Sequence, residues 1–127
     1  MLADAILQTI VLTSELEAAA GFYEQVLGLK IKERVDGALV FDVGGSDLRV
    51  SPVPETEPTE HTVFGFEVRD VDKTVGWLVG RGVTMVRFEG FPQEDNGVLL
   101  TPDGSRVAWF RDPDGNLLSV VTFASGC

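Results

Sequence analysis

Few side chains in this 127-residue sequence carry reactive chemistry, and their scarcity narrows the options at once. His61 is the single histidine, and Cys127, the last residue, is the single cysteine. A Ser-His-Asp relay would have one possible base, and no Gly-x-Ser-x-Gly motif carries its nucleophile. One thiol excludes an intrachain disulfide and a thiolate metal cage, and a reducing cytoplasm is the natural compartment. Glu67 and Glu94 are candidate general bases; either needs its pKa raised in a dry pocket before it takes a proton near neutral pH. Trp109 offers a ring face for stacking on a flat ligand, although an aromatic residue of this kind reads first as part of the core. Neither Gly-x-Gly-x-x-Gly nor a Walker sequence is present.

The net charge of −10 repels phosphate backbones and anionic lipid, so nucleic acid and membrane surfaces are poor partners. No run of 18 apolar residues could span a bilayer. The start, Met1-Leu2-Ala3-Asp4-Ala5-Ile6, lacks the basic region of a secretory signal. A chain of this length buries roughly two-thirds of its unfolded surface and folds without disulfide staples.

The elements that must position these residues fall into two similar runs. Residues 6–13 are apolar and β-branched, a strand. Ser14 has the look of an N-cap with Glu17 as its capping-box partner, and Leu16, Ala20, Tyr23 and Leu27 follow at helical spacing. Gly28 ends that helix. Strands at 29–35 and 38–43 flank an Asp36-Gly37 type I′ turn, Gly44-Gly45-Ser46 turns again, and 47–53 makes a fourth strand. Prolines and glutamates fill a linker at 54–60.

The pattern then restarts. Residues 63–68 form a strand, and Asp70 caps a helix whose stripe is Val71, Val75, Leu78 and Val79. Gly80-Arg81-Gly82 closes the helix. A strand at 83–88, a polar loop at 89–97 and a short extended piece at 98–100 follow. Arg106 to Arg111 and Asn116 to Phe123 pair across Pro113-Asp114-Gly115-Asn116, a strong hairpin signal. The second run repeats the first at a period near 55 residues, setting Gln8 over Val63 and Phe22 over Trp77, which reads as a packing residue. The fold class is α+β, two βαβββ modules at about 5–53 and 61–123, burying their naked sheet faces by packing side by side.

Two motifs, Phe22-Tyr23-Glu24-Gln25-Val26-Leu27-Gly28-Leu29 and Asp112-Pro113-Asp114-Gly115-Asn116, together with the paired modules over about residues 6–123, resemble the vicinal oxygen chelate superfamily of glyoxalase I, bleomycin-resistance proteins and extradiol dioxygenases. The resemblance implies a divalent metal held by one ligand from the first and last strand of each module, acting as a Lewis acid on two adjacent substrate oxygens. Those positions are occupied here by Gln8, Arg49 or Ser51, Val63, and Ser119. Gln8 is a possible ligand; an Arg49 cation opposes metal binding, and Val63 and Ser119 supply no carboxylate or imidazole. A slipped set of Gln8, His61 and Glu67 is the remaining metal candidate. His61 reads first as an exposed residue at a strand start, beside Glu60 and the linker.

The resemblance therefore implies a degraded metal site with no cofactor expected, and a groove for a small organic molecule lined by apolar residues with polar points at Gln8, Arg49, Glu67 and Ser119, beside Trp109. Ile10, Leu12, Val63, Leu117 and Val121 either line that groove or close the core. The loop at 89–97 could cover one mouth, its acids Glu94 and Asp95 favouring a cationic ligand or simply facing solvent. Two alternatives stand beside small-molecule binding: a divalent-metal lyase or dioxygenase with an atypical ligand set, and a regulatory or interaction module with a closed groove. A homodimer is expected, since open sheets leave edges that a symmetric partner covers; swapped and unswapped arrangements both stay open.

Overall fold

The structure is a computed structural model that describes residues 1–124. Cys127 lies outside the described residues. The chain divides into two compact units, Met1–Thr56 and Glu57–Cys127.

In the first unit, β1 (Thr9–Thr13), α1 (Leu16–Gly21), β2 (Lys30–Val35), β3 (Ala38–Val43) and β4 (Ser46–Pro52) build one sheet in the order β1-β4-β3-β2. β1 runs parallel to β4, and the other pairs are antiparallel. Strand alternation sorts the side chains. Val11 and Thr13 are buried together with Leu48 and Val50 of β4, while Ile10 and Leu12 stand on the opposite face at 48% and 46% exposure. Asp36 and Gly37 have φ of 51° and 81°, as the two central residues of a type I′ turn require.

β1 begins three residues later than the apolar run suggests, so Gln8 precedes the strand and is exposed. Ser14 does not cap α1. The cap is Glu15, whose N–H donates instead to the buried Thr13 Oγ1 at 3.1 Å, so the turn closes through Thr13. The helix then widens over Phe22–Val26 into a π-turn, with Leu27 N donating to Phe22 O at 2.9 Å. Tyr23 inside it is fully buried, with its ring 5.9 Å from that of Phe41.

The second unit repeats the scheme with β5 (Thr62–Glu67), α2 (Val71–Gly80), β6 (Leu99–Leu100), β7 (Arg106–Arg111) and β8 (Leu117–Thr122), in the order β5-β8-β7-β6. Asp70 caps α2 by accepting from Lys73 N at 3.2 Å. Val71, Val75 and Leu78 are buried on the sheet side, as are Ala108, Phe110, Leu118 and Val120.

Residues 83–88 are not a ladder strand. They run extended along the edge of β7 and place one bond there, Val86 N to Trp109 O at 2.8 Å. The strand paired with β7 is β6, only two residues long. Trp77 is not a packing residue either: it is 46% exposed on α2, with the Arg81 guanidinium 4.6 Å from its ring centre. No helix among the described residues is long and apolar enough to cross a membrane.

Candidate functional site

The hairpin between β7 and β8 fixes the geometry of the second sheet. Asp112 and Asn116 are both buried, at 6% exposure each. The Asp112 carboxylate accepts from Asp114 N at 3.0 Å, Asn116 N at 2.9 Å and Asn116 Nδ2 at 2.8 Å. Arg111 donates to the carbonyls of Thr59 and Gly115 at 2.7 and 2.6 Å, and Leu117 N donates to Thr59 Oγ1 at 2.8 Å. The end of the expected linker is therefore stitched to the hairpin and is not free chain.

With the hairpin locked, register follows. Trp109 pairs with Ser119, and Ser119 with Gly65, giving one row across β7, β8 and β5. The next row is Val107, Val121 and Glu67. All of these face away from α2, because the alternate residues Ala108, Phe110, Leu118 and Val120 are the buried ones. The structure thus brings Glu67, Trp109 and Ser119 onto one face. Trp109 is half-buried there and is not part of the core. Its indole Nε1 donates to Thr62 Oγ1 at 3.2 Å, and its ring meets Phe88 edge-on at 5.1 Å and 86°.

Ser119 depends on its neighbour. A Cβ at Gly65 would fall on Ser119 Oγ, so the absent side chain at 65 is what gives that hydroxyl its place. Arg49 lies in the first unit on the face opposite Val11, in register with Ile10, and half-buried. Ser51 shares that face with Leu12.

Within the second unit, His61 and Glu67 stand at opposite ends of β5. His61 is exposed just ahead of β5, and Glu67 ends that strand, six residues and roughly 20 Å further along. Gln8 is exposed in the first unit. A register shift between Thr62 and Phe64 leaves Val63 as an extra residue, which breaks the even spacing that linked His61 to the rest of the face. Among the described residues no three His, Cys, Asp or Glu side chains gather to hold a metal ion. A cation at Arg49, an alkyl group at Val63 and a hydroxyl at Ser119 do not fit a divalent ion.

The acids of the loop at 89–97 are engaged unequally. Arg106 donates to both Glu94 oxygens at 3.0 and 2.7 Å and to both Asp72 oxygens at 3.0 and 2.9 Å. Glu94 is therefore engaged by Arg106 within the chain, so of the two acids that could have drawn a cationic ligand, this one already has its cation. The Arg106 hydrogen bonds hold both carboxyls below their ordinary range and push the guanidinium up. Depressed acids contribute stability that is full above their unfolded pKa and lost as pH falls through the lower folded values. The Tm difference between wild type and Arg106→Met is expected to stay level from pH 7 down to about 5 and to vanish at more acid pH. A pH series of melting curves for the two proteins checks this.

Sequence reasoning missed Phe88, Thr62 and Arg106. Only Thr62 left a trace, as the residue that follows His61 in the chain; the other two meet their partners through contacts that periodicity does not encode.

A family model, the Glyoxalase/Bleomycin resistance protein/Dioxygenase superfamily, matches residues 5–120. No match is found among curated proteins. Several solved structures share the fold. A lactoylglutathione lyase from Agrobacterium tumefaciens aligns with a TM-score of 0.71 at 21% identity, over 94% of this chain and 93% of its own. A glyoxalase/bleomycin resistance protein/dioxygenase from Nocardioides aligns with a TM-score of 0.72 at 20% identity, over 97% and 85%. A genomically encoded fosfomycin resistance protein from Listeria monocytogenes reaches 0.72 at 14% identity, over 96% and 95%. With matched residues covering nearly its whole length, this chain belongs to the glyoxalase/bleomycin resistance protein/dioxygenase superfamily.

Proposed function

We propose that this chain binds a small organic molecule on the face formed by Glu67, Trp109 and Ser119, without a metal. The observation that carries the reading is the Trp109–Ser119–Gly65 row, a ring beside a hydroxyl in a place kept clear by a glycine. Trp109 supplies a stacking surface. The Ser119 hydroxyl and the Glu67 carboxylate have no hydrogen-bond partner among the described residues, so both can orient a ligand. The chemistry favours a flat ring bearing an amide, amine or hydroxyl. The metal-free state is supported by the donor chemistry at Arg49, Val63 and Ser119. The superfamily hosts many activities on one fold, so the site and not the fold carries the argument.

A fragment screen followed by amide chemical shifts tests it. Binders are expected to move Gly65, Glu67, Ser119 and the Trp109 indole together. Fragments that bind only elsewhere, or a library without a binder, would overturn the reading. A parallel melting series with nickel, zinc, manganese and iron decides the alternative. A metal that binds the native state raises stability by about 2.7 kcal/mol at one hundred times its Kd, and such a rise, abolished in His61→Ala or Gln8→Ala, would establish a metal-dependent site instead.

Gly65→Ala provides an internal check. Gly65 has an ordinary backbone conformation, and the added methyl meets chiefly a hydroxyl that can rotate. The fold is expected to survive at a cost of about 1 kcal/mol. Fragment affinity is expected to fall roughly tenfold, the equivalent of one hydrogen bond. A titration of the best fragment against both proteins measures it.

A further inference from the structure

Arg106 does not touch the proposed binding face. It opens β7 on the helix side, where it joins three elements: its own strand, the first turn of α2 through Asp72, and the loop through Glu94. Asn96 Nδ2 adds a bond to Asp72 at 2.9 Å. The loop itself is internally stapled. Gln93 accepts from Phe88 N at 2.6 Å and donates to the carbonyls of Val86 and Gly97 at 3.0 and 2.8 Å. Arg87 donates to the carbonyls of Gln93, Glu94 and Asp95 at 3.2, 2.9 and 3.2 Å. These bonds tie residues 87–97 together and connect Glu94 to Phe88 through Arg87 and Gln93.

The other end of that piece reaches the opposite side of the sheet. Phe88 stands edge-on to Trp109, and Phe91 packs on Phe88 with ring centres 5.7 Å apart. Two rings at 86° form a right-angled corner, in which a flat ring stacked on one meets the other edge-on, both favourable arrangements. A puckered saturated ring of the same size satisfies neither.

We propose that Arg106 is a positioning residue that acts through the stapled loop to hold Phe88 against Trp109, and that the corner so formed selects flat aromatic ligands over saturated ones. The selectivity rests on the binding function proposed above; the positioning of Phe88 does not, and the two are read separately.

The test uses the whole chain with Trp77→Phe, which removes an exposed ring on α2 and leaves Trp109 as the sole indole. In this background Arg106→Met is expected to lower the near-UV circular dichroism of Trp109 by roughly half and to raise its quenching by acrylamide, as Phe88→Leu does, because the edge-on ring partner is released. Far-UV circular dichroism is expected to be unchanged. Should Arg106→Met fail to fold, 1 M NaCl on the parent replaces it: screening acts over about 3 Å at that salt and weakens half-exposed ion pairs. A Trp109 signal that Phe88→Leu alters and Arg106→Met and salt both leave unchanged overturns the positioning role.

Benzamide and cyclohexanecarboxamide, matched in size, probe the selectivity through Trp109 fluorescence. Benzamide is expected to bind about 3- to 10-fold tighter in the parent, as an aromatic pair allows, with the ratio falling toward one in Arg106→Met. Equal affinities in the parent, or a ratio that Arg106→Met leaves intact, overturn the selection. Absence of binding by either amide overturns the selection together with the proposed function for this ligand class, while the Trp109 spectra still decide the role of Arg106.

Discussion

Asp112→Ala is expected to destabilise the protein by about 2–4 kcal/mol, the cost of leaving several buried donors without an acceptor. Its carboxylate accepts from two backbone N–H groups and from the Asn116 side chain, and both residues are buried. Truncation leaves these groups in a site closed to water, where each lost bond costs more than it would at the surface. The damage spreads, because the same turn carries Gly115 at φ +83°, against Pro58, and the carbonyl that Arg111 holds. Asp112→Asn retains one oxygen acceptor and is expected to lose less than half as much. Urea unfolding of the three proteins measures the order. An Asp112→Ala curve that overlays wild type would show that the hairpin is held by something other than this carboxylate.

Phe41→Ala is expected to cost about 3–5 kcal/mol, in the range for deleting a buried aromatic ring from a close-packed core. Phe41 is wholly buried in β3, facing Leu48 across the ladder, with the Tyr23 ring alongside. The neighbours have little freedom to fill the space. Tyr23 is set by the π-turn that carries it, and Leu48 by a strand paired on both sides. Phe41→Leu keeps most of the volume and is expected to cost about half as much. Calorimetry or denaturant curves give both values. Equal losses for the two substitutions would mean that ring contacts, not volume, dominate at this position.

Turn chemistry and strand alternation were the most legible features. Asp36-Gly37 has positive φ at both residues, and Val107 and Trp109 share one face while Ala108 and Phe110 share the other, as period two demands. Local pattern misled where long-range pairing decides. Residues 83–88 have the composition of a strand, yet β6 takes the place beside β7 and leaves them a single backbone bond to that strand. Val63 looked to be in phase with Ser119, and a register shift displaced it. Trp77 stood where the first module has Phe22, but α2 turns that position toward solvent. Arg106 is separated by 34 residues from Asp72 and by 12 from Glu94, so nothing in its neighbourhood announced the ion pairs it makes.

The shortness of β6 has a bearing on how this architecture can change. In the first unit the corresponding strand spans six residues and is committed to backbone pairing; in the second, two residues suffice. The remainder of that segment is released from the ladder, and its side chains can vary without disturbing a strand register. Mutational diversity concentrated at positions such as 88 and 91 would thus alter the surroundings of Trp109 while the hairpin, the helix cap and the sheet order stay as they are, and on the binding function proposed above this stretch is where new ligand preferences would arise first.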